Sequence, residues 1–379
     1  MSADCAIAEF WEDGHRRYFV EAALRGGFPG KLLTSCELAA QLPAELRTAH
    51  ADQIVALSGV HGFHFRQALA IRRFRRQNPE IKRVVCMFLD DLYRELLILG
   101  SLEIGDRSWL RGLEGLLFDY SKFYTADYDR VAGFKLKLQI PLLRGFAALS
   151  RTGRILVHDD NYREYLSRRG IPAAQLGFAP DPINPREPLQ PQGIDLPASK
   201  KLTIGFIGAH APRKGTTWAL NALASSGLPV RAIVAGSDSG DPSLREVCRQ
   251  AAGQIEVVVY LKGDGIPEAE LLWLMARVDV VAIPYRRFYG SSNILIHAMR
   301  LQKTVVSTER GVVGNRVRKF GVGCCFPEDD HDAFLQCVAS LTKGRPVCYD
   351  ERAVLDFLGS CTPAAFARAL NSASSVGQG

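Results

Sequence analysis

KLTIGFIGAHAPRKGTTWAL, from Lys201 to Leu220, is the stretch that decides the fold. Its first eight residues are mostly apolar and end at a glycine, which is typical of a buried strand. A loop of small residues follows, and Arg213, Lys214 and Gly215 then precede a segment of helical length. The stretch therefore predicts a strand, a basic loop and a helix, which together open a βαβ unit.

The same alternation continues along the chain as far as Ser307. We predict strands at Lys201–Gly208, Val230–Ala235, Ile255–Tyr260, Val278–Ile283 and Thr304–Ser307, and helices at Thr216–Ser226, Pro242–Ala252, Glu268–Arg277 and Asn293–Leu301. Strands separated by helices of this length need crossover connections and form a parallel sheet. The second half of the chain is therefore expected to be a Rossmann-like domain.

A weaker alternation of the same kind precedes it. We predict strands at Cys5–Phe10, Lys31–Ser35, Gln53–Leu57, Arg83–Leu89, Arg154–Val157 and Leu176–Ala179, with helices at Arg16–Arg25, Phe63–Gln77 and Asn161–Arg169. The stretch Asp119 to Leu149 breaks the pattern, and we leave open whether it is an insertion or a helix at the rim of a cleft. The first half of the chain is thus expected to be a second α/β domain.

The proline-rich stretch Pro180 to Lys200 marks the best boundary, because dense prolines indicate a stiff, structureless connection. We therefore predict an α/β fold with two Rossmann-like domains facing a central cleft. The domains are residues 1–180 and residues 201–358, with 181–200 as the linker. The segment 359–379 is expected to form a helix, Pro363 to Ser372, that packs back on the first domain.

Composition narrows the class of protein. The chain has 379 residues, a net charge of +7 and no apolar run of the roughly 20 residues that a membrane span needs. The first residues lack a basic segment followed by an apolar one, so no secretory signal is expected. Nine cysteines without CxxC spacing predict neither zinc nor a disulfide framework, but reduced thiols in the cytoplasm.

Basic residues concentrate between Phe63 and Arg83, where Glu80 is the only acid. On a helix this stretch presents an apolar stripe beside a basic face. Two interpretations stay open: a solvated face, or a peripheral contact of residues 63–83 with anionic lipid at the inner membrane face. Nucleic acid is not an expected partner, because no DNA- or RNA-binding module is recognisable.

The loops after the predicted strands carry the candidate chemistry, because ligands of parallel sheets bind at the carboxyl ends of strands. Gly208 ends a strand and lets a ligand approach the backbone, while Arg213 and Lys214 place positive charge beside it. Lysine precedes glycine here, so the segment is not a P-loop. We expect this loop to bind a diphosphate; alternatively it is a surface loop whose lysine contacts nothing.

A second segment, VDVVAIPYRRFYGSSNILIHAMR from Val278 to Arg300, has the same character. Gly290, Ser291 and Ser292 lead into a helix that begins at Asn293. Small residues at a helix start leave backbone N–H groups free to bind an anion, aided by the helix dipole. The alternative is that one of the serines caps the helix.

Together these motifs resemble the retaining glycosyltransferases of the B-type fold, particularly family 4 (glycosyltransferase group 1). The resemblance covers about Ile155 to Leu341 and rests on Gly208, Lys214-Gly215, Asp279 to Pro284, Gly290 to Ser292, Ala298-Met299, Val305-Val306, Gly311 and Gly323. It implies transfer of a sugar from a nucleotide-diphosphate donor, without a metal or other cofactor, to a glycan, lipid-linked or small-molecule acceptor. It also implies that the domain of residues 1–180 binds the acceptor and that the domain of residues 201–358 binds the nucleotide-sugar. Lys214 would neutralise the leaving diphosphate, and the backbone at Ser291–Asn293 would hold it.

The chain departs from this family at the sugar and ribose. Two family glutamates, eight positions apart, correspond to Tyr289 and His297, neither of which is negatively charged at neutral pH. His297 retains the ability to hydrogen-bond a ribose hydroxyl. The arginine that often follows the first glycine is replaced by Ala209, and we expect Arg213 to substitute for it.

Three residues of the first half are catalytic candidates. His15 follows the first strand, where related enzymes bring a glycine loop to the reacting centre. His61 follows the third strand, and Asp90 follows the fourth, where it could orient an acceptor hydroxyl or accept its proton. For each histidine, the alternative is a loop side chain without a role.

Other functions stay open from the sequence. Asp127-Tyr128-Asp129 has the DxD spacing of metal-binding A-type glycosyltransferases, but it follows no nucleotide-binding strand and no metal is expected. The missing glutamates leave open a catalytically altered protein that binds nucleotide or glycan without transfer. A nucleotide-sugar epimerase, which shares the fold, is the other alternative.

Overall fold

A computed structural model describes residues 4–12, 14–103, 105–126, 129–183, 186–196, 198–343 and 349–372, except for the side chains of residues 14 and 15. The chain divides into two compact units. The N-terminal unit comprises residues 1–184 and takes up residues 360–379, and the C-terminal unit comprises residues 185–359. Each unit has its own parallel sheet and its own apolar core.

The N-terminal unit is built on seven parallel strands. In chain order its elements are β1 (Cys5–Glu9), α1 (Gly14–Arg25), β2 (Lys31–Ser35), α2 (Cys36–Gln41), α3 (Ala44–Ala49), β3 (Ile54–Leu57), α4 (His64–Gln77), β4 (Arg83–Cys86), α5 (Leu89–Leu102), β5 (Leu113–Leu117), α6 (Ser121–Thr125), α7 (Arg130–Ser150), β6 (Ile155–Val157), α8 (Asp160–Arg168) and β7 (Leu176–Phe178). The strand order is β3-β2-β1-β4-β5-β6-β7. The central strands β1, β4 and β5 are almost wholly buried, as expected of a sheet covered on both faces.

The C-terminal unit contains six parallel strands. Its elements are β8 (Leu202–Ala209), α9 (Thr216–Ser225), β9 (Val230–Ser237), α10 (Leu244–Ala251), β10 (Glu256–Leu261), α11 (Glu268–Ala276), β11 (Val280–Ile283), α12 (Asn293–Arg300), β12 (Thr304–Thr308), α13 (Gly311–Phe320), β13 (Gly323–Phe326), α14 (His331–Thr342) and α15 (Glu351–Ser360). The strand order is β10-β9-β8-β11-β12-β13. The prediction of two Rossmann-like α/β domains is therefore confirmed.

The last helix, α16 (Pro363–Asn371), packs on α1 in the N-terminal unit. Its Phe366 and Leu370 are fully buried in that unit's core. Buried Glu114 pairs with Arg83 and Arg154, and both arginines also donate to the backbone carbonyl of Leu370. Because the carbonyls at the end of a helix lack intrahelical partners, these buried cations fix the end of α16.

The structure decides between the two alternatives left open for Asp119 to Leu149, of which the helix is confirmed, and it corrects one prediction of secondary structure. The segment Asp119 to Leu149 is largely the 21-residue helix α7, with Pro141 inside it. The predicted strand Arg83–Leu89 ends at Cys86, and α5 begins at Leu89. An uninterrupted apolar run has no periodicity that could show where the strand stops, which is why the strand was predicted too long. Strand β5 was not predicted.

The expectation of reduced thiols is wrong for one pair of cysteines. Cys324 in β13 and Cys337 in α14 form a disulfide, with Cα atoms 6.0 Å apart. The helix returns across the strand that precedes it, and this places two residues 13 positions apart side by side. A spacing of that length has no signature in the sequence, whereas a CxxC pair does.

Candidate functional site

The order of strands identifies the ligand-binding edge of the C-terminal sheet. From β8 the chain proceeds outward through β9 and β10, and from β11 it proceeds in the other direction through β12 and β13. The carboxyl ends of β8 and β11 therefore flank a topological switch point, where open α/β sheets bind their ligands. The two segments expected to bind a diphosphate are the connections that follow these two strands.

The two connections are in direct contact. The backbone N–H of Arg286 donates to the carbonyl of Arg213 over 2.8 Å. Gly215 has a φ of +69°, and a Cβ at this position would lie 1.9 Å from the carbonyl oxygen of Pro284. Only glycine allows this approach, so the structure brings Arg213, Lys214 and the β11 connection into one site.

Two cations lie on aromatic rings at this site. Lys214 Nζ is 3.8 Å from the centre of the Tyr285 ring and 4.8 Å from that of Phe288, and the Arg213 guanidinium lies 4.9 Å from Phe288. Within the described ranges, neither cation forms an ion pair with a carboxylate. An aromatic face attracts a cation only modestly, so both charges stay available to an anion.

The start of α12 faces the same place. A Cβ on Gly208, whose φ is +114°, would lie 3.2 Å from Ile294 Cδ1, so the end of β8 abuts the first turn of α12. Ser292 precedes the helix but forms no side-chain cap, and its hydroxyl instead shares a hydrogen bond of 2.9 Å with Tyr285 Oη. Ser292 is thus not a capping serine, and backbone N–H groups of the first turn face the site without it.

Gly290, Ser291 and Asn293 lie where predicted, in the connection from β11 and at the first position of α12. Their neighbour Tyr289 is buried, and its hydroxyl donates to Glu328 Oε2 over 3.2 Å. Glu328 also accepts from the backbone N–H of Arg287 over 2.7 Å. The carboxylate after β13 therefore holds the β11 connection in place.

His297 is buried in α12, and its Nε2 atom lies 2.9 Å from Glu268 Oε1 at the start of α11. In the part of the chain that the structure describes, its Nδ1 atom has no hydrogen-bond partner. The positions of the two family glutamates are thus each in contact with a carboxylate from another element. Sequence reasoning missed Glu268 and Glu328, because each is about 30 residues or more from the residue it contacts.

His210 is a further site residue that sequence reasoning missed. Its Nδ1 is 2.9 Å from Thr216 Oγ1, and its Nε2 is 3.2 Å from the carbonyl oxygen of Ala235. Burial lowers the pKa of this histidine to about 4, so it is neutral at physiological pH. The neutral ring ties the connection after β8 to α9 and β9. In the sequence, the only feature that indicated a role for His210 in the site was its position directly after the strand.

In the N-terminal unit the corresponding switch point lies between β1 and β4. Arg16 of α1 occupies it, with its guanidinium 4.2 Å from the centre of the Phe88 ring and 5.5 Å from that of Trp11. The same guanidinium pairs with Asp91 and lies 3.6 Å from buried Glu9. This edge of the sheet therefore carries one arginine among two carboxylates and two aromatic rings.

Of the predicted histidines, His61 lies beside this edge. Its Nδ1 atom is 2.9 Å from Glu12 Oε2, and its ring centre is 5.2 Å from that of Trp11. His15 belongs to the first turn of α1, and its side chain lies outside the described residues. Glu12 and Trp11 therefore border the His61 ring at this edge.

Asp90 lies in the first turn of α5, not in a loop. Its Oδ2 accepts from the backbone N–H groups of Phe118 and Asp119, over 2.6 Å and 3.3 Å. Its Oδ1 is shielded from solvent and, among the residues described, has no hydrogen-bond partner. Burial raises the pKa of Asp90 to about 7, so at neutral pH the carboxyl can both accept and donate a proton.

The free energy of unfolding of the N-terminal unit is expected to fall as the pH rises from about 4 to about 7. Burial raises the pKa of both Glu9 and Asp90 to about 7, whereas these carboxyls titrate near 4 in an unfolded chain. The folded state therefore binds more protons in this interval, and stability that is present at low pH is lost as the pH rises through 7. Thermal unfolding of the double variant Glu9→Gln/Asp90→Asn should show a flatter pH dependence than the wild type. The same dependence in both proteins would contradict the assignment.

Two further features, metal-binding groups and membrane spans, bear on the site. Within the described residues, no three His, Cys, Asp or Glu side chains are grouped so as to hold a metal ion. Asp127 and Tyr128 lie outside the described residues, and Asp129 accepts from the backbone N–H groups of Val131 and Ala132 at the start of α7. No helix in those same ranges is both long and apolar enough to cross a membrane.

Comparisons with known proteins agree with this geometry. Residues 201–343 match the model of the family described as glycosyl transferases group 1, so the resemblance predicted from the sequence is confirmed over these residues. No curated protein sequence matches the chain.

Many solved structures share its fold. HepE (Alr3699) from Anabaena, in complex with UDP and glucose, is 13% identical with a TM-score of 0.56, covering 96% of this chain and 94% of its own. The apo form of WaaB, a lipopolysaccharide outer core galactosyltransferase, is 12% identical with a TM-score of 0.61, covering 97% of each chain. The sucrose-phosphate synthase of Thermosynechococcus elongatus is 14% identical with a TM-score of 0.59, covering 97% of this chain and 94% of its own.

Proposed function

We propose that this protein is a glycosyltransferase that moves a sugar from a nucleotide-diphosphate donor to an acceptor hydroxyl. The observation that carries the proposal is the site at the switch point of the C-terminal sheet. There the first turn of α12, not capped by Ser292, lies against the end of β8, and Lys214 and Arg213 stand in the connection beside it. The match of residues 201–343 to group 1 glycosyltransferases supports the same assignment.

The proposed chemistry is stabilisation of the leaving diphosphate. As the bond from the sugar to the diphosphate breaks, negative charge grows on the phosphate oxygen that leaves. Lys214 and Arg213 would neutralise this charge, and backbone N–H groups at Ser291–Asn293 would bind the phosphate oxygens. Because these cations and N–H groups are already in position, they do not have to reorganise as the charge develops, and this lowers the barrier to the reaction. Retention of anomeric configuration and a hexosyl donor are proposed from the family resemblance alone.

The sugar and ribose would lie toward Tyr289 and His297. His297 has a carboxylate at Nε2, so its ring is held in one orientation, and no residue that the structure describes bonds to its Nδ1 atom. A donor hydroxyl is the partner that such a buried nitrogen would take. We propose that Glu268 acts on the ribose through His297, because it fixes this ring.

The acceptor side is proposed for the N-terminal unit. Asp90, with its raised pKa, is the candidate to take the proton of the acceptor hydroxyl, and His61 and His15 are the other candidates. A glycan, a lipid-linked saccharide or a small molecule fits the proposal equally. For the donor, the proposed diphosphate site supports a nucleotide-sugar.

A thermal-shift panel with UDP, GDP, dTDP, ADP and their sugars tests the donor site. A ligand that binds only the folded state adds about 2.7 kcal/mol of stability at a hundred times its dissociation constant, so one nucleotide should raise the melting temperature clearly. The shift should be smaller in Lys214→Ala. If no member of the panel shifts the wild-type transition, the proposed donor site is wrong.

Product analysis distinguishes sugar transfer from the two alternative functions, which are binding without transfer and epimerisation. Binding without turnover over a broad acceptor panel would indicate a protein that has lost transfer, as the absence of glutamate at positions 289 and 297 could suggest. A donor recovered with an inverted sugar carbon, and no transferred product, would indicate an epimerase. Transfer or donor hydrolysis that depends on Lys214 would reject both alternatives.

A membrane contact through residues 63–83 stays a prediction. Several arginines of this stretch have partners within the protein. Arg72 and Arg76 pair with Glu103, and buried Arg75 donates to the carbonyls of Trp109 and Arg111. Three of the four clustered arginines of α4 therefore have partners within the protein.

A further inference from the structure

The large exposed apolar side chains that the structure describes in the N-terminal unit lie in one layer of helices. Helices α4, α5 and α7 each connect to a strand further in the same direction along the sheet, so right-handed crossovers place all three on one face. Helix α5 packs against both α4 and α7. Among the described residues, every large apolar side chain of this unit that is more than a third exposed belongs to this layer: Phe63, Phe65, Leu69, Ile98, Leu102, Val131, Phe134, Leu138 and Leu142.

Helix α7 has the most continuous apolar surface of the three. Val131, Phe134, Leu138 and Leu142 are 60%, 61%, 53% and 38% exposed. At about 100° per residue, these four side chains fall within an arc of about 80°. The opposite side of the helix is buried in the unit, so the stripe points away from the core. A monomeric soluble protein rarely exposes contiguous apolar surface of this kind without a binding partner.

Basic residues border this stripe on both sides. On the same helical projection, Lys135 lies along one edge, and Arg130, Lys137 and Arg144 lie along the other. Helix α7 contains no acidic residue, and α4 contains none either. Within the described chain, none of these four cations forms an ion pair. An apolar stripe between two rows of free cations complements a surface with negative head groups above hydrocarbon.

We propose that the outer face of α7, supported by the exposed apolar residues of α4 and α5, lies on an anionic lipid bilayer. Phe134 and Leu138 enter the boundary between head groups and acyl chains. Lys135 and Lys137 extend their stems along it and keep their ammonium groups at the level of the phosphates. This proposal does not depend on sugar transfer, because it concerns a surface of the N-terminal unit.

Flotation of the full-length protein with vesicles tests the proposal. The probes are phosphatidylcholine vesicles with and without phosphatidylglycerol, and the wild type should float mainly with the anionic ones. Phe134→Asp/Leu138→Asp should lower the vesicle-bound to free ratio at least about tenfold, because it removes the inserted apolar area and adds negative charge. Lys135→Gln/Lys137→Gln should lower the ratio roughly tenfold on anionic vesicles and hardly at all on neutral ones.

The matched control is Val259→Asp/Leu355→Asp, which makes the same change at two exposed apolar positions of the C-terminal unit. It should float like the wild type, and all variants should have the wild-type melting temperature because every site is exposed. A wild type that stays with the soluble fraction would overturn the proposal. So would a Phe134→Asp/Leu138→Asp variant that floats normally, including one that changes only from dimer to monomer.

Discussion

Replacing Lys214 by alanine is expected to reduce turnover of the nucleotide-sugar by roughly 10²- to 10³-fold, the loss that follows removal of one positioned donor for a leaving anion. Lys214 rests on the ring of Tyr285, 3.8 Å from Nζ to the ring centre, in the connection after β8. Because this contact is weak, the substitution should leave the fold intact and act on the charge that develops during the reaction. Steady-state rates of transfer or of donor hydrolysis measure the effect.

Lys319→Ala is the matched control. Lys319 also lies near an aromatic ring, 5.6 Å from that of Phe320, but it stands at the end of α13, far along the helix from the strand ends that carry the site. It should keep wild-type turnover. Lys214→Arg should recover part of the lost rate, because it retains the charge but not the geometry. Turnover of Lys214→Ala within about threefold of the wild type would remove this lysine from the mechanism.

Replacing Gly215 by alanine is expected to lower the free energy of unfolding of the C-terminal unit by more than about 3 kcal/mol. The new Cβ would lie 1.9 Å from the carbonyl oxygen of Pro284, and φ is +69°. The clash is with backbone, so the connections after β8 and β11 must separate. Nucleotide binding should be lost with them. Chemical denaturation and nucleotide titration measure the two effects.

Gly227→Ala is the control that distinguishes the cost of the steric clash from the cost of a left-handed backbone conformation. Gly227 has almost the same φ, +67°, but a Cβ there meets nothing within 4 Å. An alanine in this left-handed conformation should cost only about 1–2 kcal/mol and leave nucleotide binding unchanged. Equal losses of stability in the two variants would show that strain alone, and not the contact with Pro284, limits position 215.

The positions of the residues proposed to bind the diphosphate were predictable because their signals are local. Gly208, Lys214 and the helix start at Asn293 each stand directly after a strand or before a helix. In a parallel sheet the carboxyl ends of all strands lie at one edge, so the alternation of elements already places these residues near one another. The structure adds the contact between the Arg213 and Arg286 backbones that makes them one site.

The surroundings of Tyr289 and His297, where the sugar and ribose are proposed to lie, could not be predicted in the same way. The sequence shows Tyr289 and His297 where related enzymes have glutamates, which suggested a loss of negative charge. Packing brings Glu328 to Tyr289 and Glu268 to His297 from the connections of other strands. Such contacts depend on which strands are neighbours, and no local pattern records that order.

The alternation of apolar strands and helices by itself determined two α/β domains and the segments that would hold a diphosphate, because periodicity and strand ends are local properties of a chain. Tertiary structure alone decided which charges are free. Packing places Arg75 in the interior and pairs Arg72 and Arg76 with Glu103. It leaves the cations of α7 beside an exposed apolar stripe. It also brings Cys324 and Cys337 together to form a disulfide. A charge acts on a ligand only where no internal partner neutralises it, and partners are assigned by the packing of distant elements.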